Sequence, residues 1–177
     1  MSAGSNTQAD LEVDVREADS VDTVDADQRR SRVVVGVDGS AGSRAALAFA
    51  AEEARLRGAR LEVVVAWQYP VLTTMPAFGV LPPVEEMAAE AREGLLQFLQ
   101  DERLTDDPQL EVTPVVVQGP AAAALIEASK GADLLVVGSR GHGGFTGLLL
   151  GSVSQACVTH ATCPVVVVPT PRDQSHL

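Results

Sequence analysis

The residues best suited to do chemistry lie in one run, Gly138-Ser139-Arg140-Gly141-His142-Gly143-Gly144-Phe145-Thr146-Gly147, closed by Leu148-Leu149-Leu150-Gly151-Ser152-Val153-Ser154. The run follows the apolar stretch Leu134-Leu135-Val136-Val137 and precedes a helix-periodic segment, so a glycine-rich loop joins a buried strand to a helix. Such a loop presents main-chain N–H groups with no side chains in the way. The unpaired amides of the next helix's first turn add positive potential. The ligand chemistry this suits is phosphate. Arg140 offers a fixed charge and a fork of donors; the alternative is a solvated surface arginine. Ser152 and Ser154 can donate hydroxyls beside the amide of Val153, or Ser152 can cap the helix. His142 lies in the loop where it can approach a terminal phosphate; the alternative is a plain exposed histidine, and it is not read as a catalyst.

A second group, Gly36-Val37-Asp38-Gly39-Ser40, ends another β-branched run. Gly36 has no Cβ to obstruct a ribose or phosphate approaching the strand end. Asp38 is the carboxylate at that mouth, able to bond a sugar or base edge or to help hold Mg²⁺. Its alternative role is the Asx cap of a turn.

These loops need elements to position them. Val33 to Val37 reads as a strand buried on both faces, followed by an Ala-rich helix from Gly42 to Arg57, with Ser40 as N-cap and Gly58 as the stop. Leu61 to Ala66 is a second strand. Trp67 to Pro83 is a long loop broken by prolines, and Val84 to about Arg103 a second helix. Val112 to Gln118 is the third strand. The third helix opens near Pro120, which tolerates the first helical position, and ends near Lys130-Gly131. Leu134 to Val137, Ser152 to Ala161 and Val165 to Val168 supply the fourth strand, fourth helix and fifth strand. Strict alternation of strand and helix with right-handed crossovers gives an open parallel sheet of five strands with helices on both faces, a Rossmann-like α/β fold. If the first and fourth strands are neighbours, the two loops meet where the winding reverses, which is where open sheets bind ligands.

Composition narrows the classes. The chain has 177 residues, 46% of them apolar and 3% aromatic, so small aliphatic side chains must fill a single core. Twenty-four acidic residues against 13 basic ones give a formal charge of −11, which argues against nucleic acid as a partner. No run reaches the roughly 20 apolar residues of a membrane span, and no secretory layout opens the chain, so a cytoplasmic location is expected. Met1 to Ser31 carries eight acids and three bases and reads as a disordered acidic tail; residues 171–177 read as a short C-terminal tail. Cys157, His160 and Cys163 lack a fourth ligand for zinc, and the cysteines read as thiols that pack as small hydrophobes.

Two phosphate-binding motifs fail. Lys130 is the sole lysine and stands outside any glycine loop, so there is no P-loop. The first strand is not followed by Gly-x-Gly-x-x-Gly. The spacing present, Gly138-x-x-Gly141, nine residues, then Gly151-Ser152, resembles the nucleotide-binding signature of the universal stress protein family. Val33 to Ser40, Gly151-Ser152-Val153-Ser154 and Cys163-Pro164-Val165-Val166-Val167-Val168 resemble the family's first strand and turn, last helix start and closing strand. The resemblance covers about Arg32 to Pro169. It implies a five-stranded, adenine nucleotide alpha hydrolase-like domain over residues 32–170, and the complete glycine signature implies the ATP-binding branch rather than the branch resembling universal stress protein A. It further implies ATP with Mg²⁺ as ligand, a stress-response regulatory module, adenine contacts from the backbone of Ala66, and a homodimer through Val165 to Val168. A slow ATPase or phosphotransferase is the alternative. No Glu, Gln or Asp stands in the glycine loop to orient water, which favours binding over turnover.

Overall fold

The computed structural model describes residues 12–17, 31–69, 83–141 and 149–170. Its strands are β1 (Asp14–Glu17), β2 (Arg32–Gly36), β3 (Arg60–Trp67), β4 (Val112–Gln118), β5 (Leu134–Gly138) and β6 (Val165–Val168). The helices are α1 (Ala41–Arg57), α2 (Val84–Asp101), α3 (Ala121–Ala128) and α4 (Ser152–His160). All neighbouring strands are parallel, in the order β1-β4-β3-β2-β5-β6.

From β2 the chain winds outward through β3 to β4, then jumps back to lay β5 on the other side of β2 and β6 beyond it. The winding therefore reverses between β2 and β5. Val33, Val34 and Val35 of the central strand are fully buried, as a strand covered on both faces requires. One core lies between the sheet and helices α1 and α2, with Leu47, Ala50, Leu95 and Leu99 against Val35, Val63 and Val136. The other lies under α3 and α4, with Leu125 and Cys157 against Val34, Val64 and Leu135. Phe98 is the one buried aromatic among the described residues, so valine, alanine and leucine do fill the core.

Helix α1 starts and stops where its sequence indicates. The Ser40 hydroxyl accepts from Ser43 N–H at 3.2 Å, and Gly58 takes a left-handed φ of 59° while Ala59 N–H reaches back to Ala54 O at 2.8 Å. Pro120 sits one place earlier than expected, at the N-cap of α3.

Two expectations are corrected. The sheet has six strands rather than five, and the acidic N-terminal segment is not structureless throughout, because Asp14–Glu17 pairs with Val115–Gln118. The physical reason is a period-2 alternation, Leu11, Val13, Val15, embedded among the acids. Val13 packs against the α1/α2 core.

Candidate functional site

Parallel strands all deliver their carboxyl ends to one rim, and there a cavity of about 600 Å³ opens at the β2/β5 switch point. The turn after β2 and the loop after β5 meet across it. The contact is direct: a Cβ added to Gly141 would collide with Asp38 Oδ2. Gly36, Asp38, Ala66, Gly138, Arg140 and Gly141 line the cavity, and Gly151, Ser152, Val153 and Ser154 close its far wall. His142, Gly143 and Gly144 lie outside the described residues.

Each wall has a local cause. Asp38 is exposed, with Oδ1 accepting from Ser40 N–H at 3.0 Å, so the Asx turn is made and the carboxylate is held at the mouth. Gly39 follows at a φ of 81°, in the left-handed region that favours glycine. The Cβ of an alanine at position 36 would lie 2.6 Å from Leu125 Cδ1, so what crowds Gly36 is a leucine side chain. At Gly138 the obstacle is backbone: a Cβ there would lie 2.9 Å from the carbonyl carbon and oxygen of Gly42, where α1 begins. Two glycines thus let the start of α1 rest directly on the end of β5.

Ala66 faces the space that β2 vacates. Val37 N–H donates to Val64 O at 2.9 Å, so the peptide groups of Val64 turn toward β2, and alternation turns those of Ala66 the same way. Strand β2 has ended by that level, leaving one main-chain donor and one acceptor directed at the cavity. Val64, Ala121 and Leu125 make the wall beside them apolar.

The far wall is the amino end of α4. Gly151 is its N-cap and contributes no side-chain bond, so the first-turn amides keep their positive potential uncapped. Ser152 is the first helical residue rather than the cap, and its hydroxyl has no partner among the described residues. Ser154 differs from the expectation of a phosphate donor. It is buried, and its hydroxyl donates to Ser139 O at 3.1 Å and Gly151 O at 2.9 Å. Ser139 likewise does not line the cavity. Its N–H donates to Val168 O at 2.7 Å, its hydroxyl accepts from Thr170 N–H at 3.2 Å, and its carbonyl accepts from Gly151 N–H at 2.7 Å. These two serines tie both ends of the glycine loop to each other and to β6. Arg140 is exposed on the cavity side with no carboxylate partner among the described residues.

Sequence reasoning missed Val64, Ala121 and Leu125. Val64 was recoverable, because it shares a face with Ala66 two residues on. The α3 contribution was not, since it follows from where β4 delivers the chain. Cys157 is fully buried, and burial pushes its thiol up to about 11, as befits a packing residue.

Residues 29–169 match the model of the universal stress protein family. The chain belongs to that family. A universal stress protein of Mycobacterium tuberculosis is 40% identical over 148 residues, covering 84% of this chain and 48% of its own length. Another, from Mycobacterium bovis, is 37% identical over 141 residues, covering 80% and 44%. The chain therefore spans about half the length of the curated relatives it matches. Among solved structures, universal stress protein UspA from Lactobacillus plantarum shares the fold, with a TM-score of 0.65 at 24% identity over 79% of this chain and 98% of that one. A universal stress protein in complex with cAMP matches with a TM-score of 0.53 at 28% identity, covering 80% and 98%. The Archaeoglobus fulgidus universal stress protein in complex with dAMP matches with a TM-score of 0.53 at 26% identity, covering 78% and 97%. Among the described residues no helix is long and apolar enough to cross a membrane.

Proposed function

We propose that the switch-point cavity binds an adenine nucleotide, ATP with Mg²⁺, and that occupancy makes the chain a nucleotide-dependent regulatory module of the cytoplasm. The observation that carries this reading is the convergence of Asp38 with Gly141 in front of the uncapped amino end of α4. The base enters the apolar wall of Val64 and Leu125, with the peptide groups of Ala66 meeting its polar edge. The phosphates lie toward Gly141, Arg140 and the first-turn amides of α4, assisted by Ser152. Solved relatives with cAMP and dAMP bound support the adenine part of the reading.

Magnesium fits this donor set in one way. Asp38 is the only carboxylate among the described lining residues, and Mg²⁺ is commonly held by one or two carboxylates together with substrate phosphates and water. Asp38 would hold the ion, which in turn neutralises phosphate charge. That Asp38 already serves an Asx turn favours holding over proton transfer, hence binding over hydrolysis. The half-buried valines of β6, paired on one side with β5, support a homodimer through Val165 to Val168.

Calorimetric titration with Mg·ATP tests the site. Asp38→Ala and Gly141→Val should each weaken binding about tenfold or more, roughly 1.4 kcal/mol, with the circular dichroism spectrum unchanged. Wild-type affinity in both variants would overturn the assignment.

A further inference from the structure

Strand β1 precedes residue 29, where the family match begins, so the β4 edge belongs to the shared domain while the strand that covers it lies outside that domain. Its pairing follows from the backbone of β4. Leu61 N–H donates to Glu111 O and Gly119 N–H to Trp67 O, both at 2.8 Å, so the odd-numbered residues of β4 turn their peptide groups toward β3. Pro114, Val116 and Gln118 then turn theirs outward. Pro114 has no N–H to offer, so the outward row of donors is broken after Val112 and resumes at Val116. Strand β1 docks at that point, Asp14 opposite Val115 and Glu17 opposite Gln118. In this register Asp14 and Arg16 direct their peptide groups to β4, while Val13, Val15 and Glu17 direct theirs away.

We propose that the β4 edge beyond Pro114 is an acceptor site for an extended Val-Asp-Val-Arg-Glu segment, filled in cis by the chain's own N-terminal strand, which thereby guards the sheet against edge-to-edge assembly. Residues 18–31 join β1 to β2. Fully extended they reach about 45 Å. The gap is three strand spacings across and the length of β3 from Trp67 to Arg60 down, on the order of 27 Å. The connection thus closes within one molecule with slack to pass a helix. A four-residue strand has little affinity of its own, and the tether supplies an effective concentration on the order of millimolar.

The guard has a geometric purpose. With β6 taken into the proposed dimer, a bare β4 would be the open edge at each end, and pairing it with the β4 edge of another dimer chains copies without closing. Covering β4 leaves a four-residue outer edge in its place, with Val15 59% exposed.

Proline substitution in the full chain tests both parts. By amide-resolved hydrogen exchange, Val116 and Gln118 are protected in the wild type. In Arg16→Pro both exchange about tenfold faster or more, while Val115 and Val117, bonded to β3, do not change. Val15→Pro, whose lost N–H points away from β4, leaves all four protected. Val13→Asp keeps every donor but loses the apolar contact, and accelerates Val116 and Gln118 without perturbing any ladder bond directly. In sedimentation, Arg16→Pro shifts to larger species with rising concentration and Val15→Pro does not. Rapid exchange of Val116 and Gln118 in the wild type, or equal effects of the two proline variants, would overturn the docking. Accelerated exchange with unchanged sedimentation would overturn the guard.

Discussion

The two rims of the sheet are built from opposite materials. At the carboxyl rim, glycines, alanines and short hydroxyls leave backbone donors facing a cavity. At the amino rim, charged side chains bond to one another and to backbone groups. Arg32 pairs with the nearly inaccessible Glu62 at 2.9 Å and donates onward to Ala128 O at 3.0 Å and Lys130 O at 2.6 Å. Asp133 accepts from Arg32 N–H at 2.6 Å and from the Ser31 hydroxyl at 2.9 Å, joining β2 to the turn before β5. One end of each strand is therefore spent on fixing the strand order, and the other is left chemically available. Stability and ligand capture are thus separated along the strand axis, so substitutions at the two rims should be distinguishable by which property they move.

The sharpest separation is expected at Arg32. In Arg32→Leu the buried Glu62 carboxylate loses the Arg32 guanidinium, and the bonds to Ala128 O and Lys130 O go with it, at a cost of about 3 kcal/mol. Urea denaturation should show that loss, while Mg·ATP affinity of the folded fraction stays within twofold. A large change in affinity would mean that the rims are coupled.

At the other rim the comparison turns on what a methyl group meets. Gly138→Ala drives a Cβ against the backbone of Gly42, which cannot rotate aside, and overpacking of this kind costs about 1–3 kcal/mol. Gly36→Ala meets only the end of the Leu125 side chain, so its stability cost should be less than about 1.5 kcal/mol. Leu125 lines the cavity, however, and its displacement should weaken nucleotide binding more than it lowers the melting temperature. Parallel thermal melts and titrations of the two variants check the contrast. Arg140→Ala, at an exposed position, should weaken Mg·ATP binding severalfold at low salt and less at high salt, with no change in stability.

How much of this was legible in the sequence divides along the same axis. The five family strands and four helices were, because Val33 to Val35 and Leu134 to Val137 are uninterrupted apolar runs and Ser40, Gly58 and Pro120 punctuate them. The meeting of Asp38 with Gly141 was legible only on the condition that the first and fourth family strands are neighbours, which the pairing of β2 with β5 supplies. Strand β1 was not, because three alternating apolar residues among eight acids read first as charge, and only the register with Pro114 shows why the edge accepts them. The roles of Ser139 and Ser154 were hidden for another reason. A hydroxyl beside a glycine loop reads as a ligand donor, and only the fold reveals that Val168, Thr170 and Gly151 occupy those bonds.

The smallest expected effect is at Asp133, and it is set by pH. The Arg32 N–H, then the Ser31 hydroxyl, hold its carboxyl below the ordinary value of 3.8. A carboxylate with a depressed folded pKa binds protons less readily folded than unfolded, so its contribution is fully present above pH 3.8 and is lost as pH falls through the lower folded value. Asp133→Asn keeps a carbonyl acceptor for the Arg32 amide but cannot titrate. Its stability should fall slightly short of wild type at pH 7 and converge on it in acid, so that the difference between the two denaturation midpoints closes below pH 4. A gap that persists to pH 2 would mean that the bond to Arg32 N–H fastens the amino rim through its geometry and not its charge.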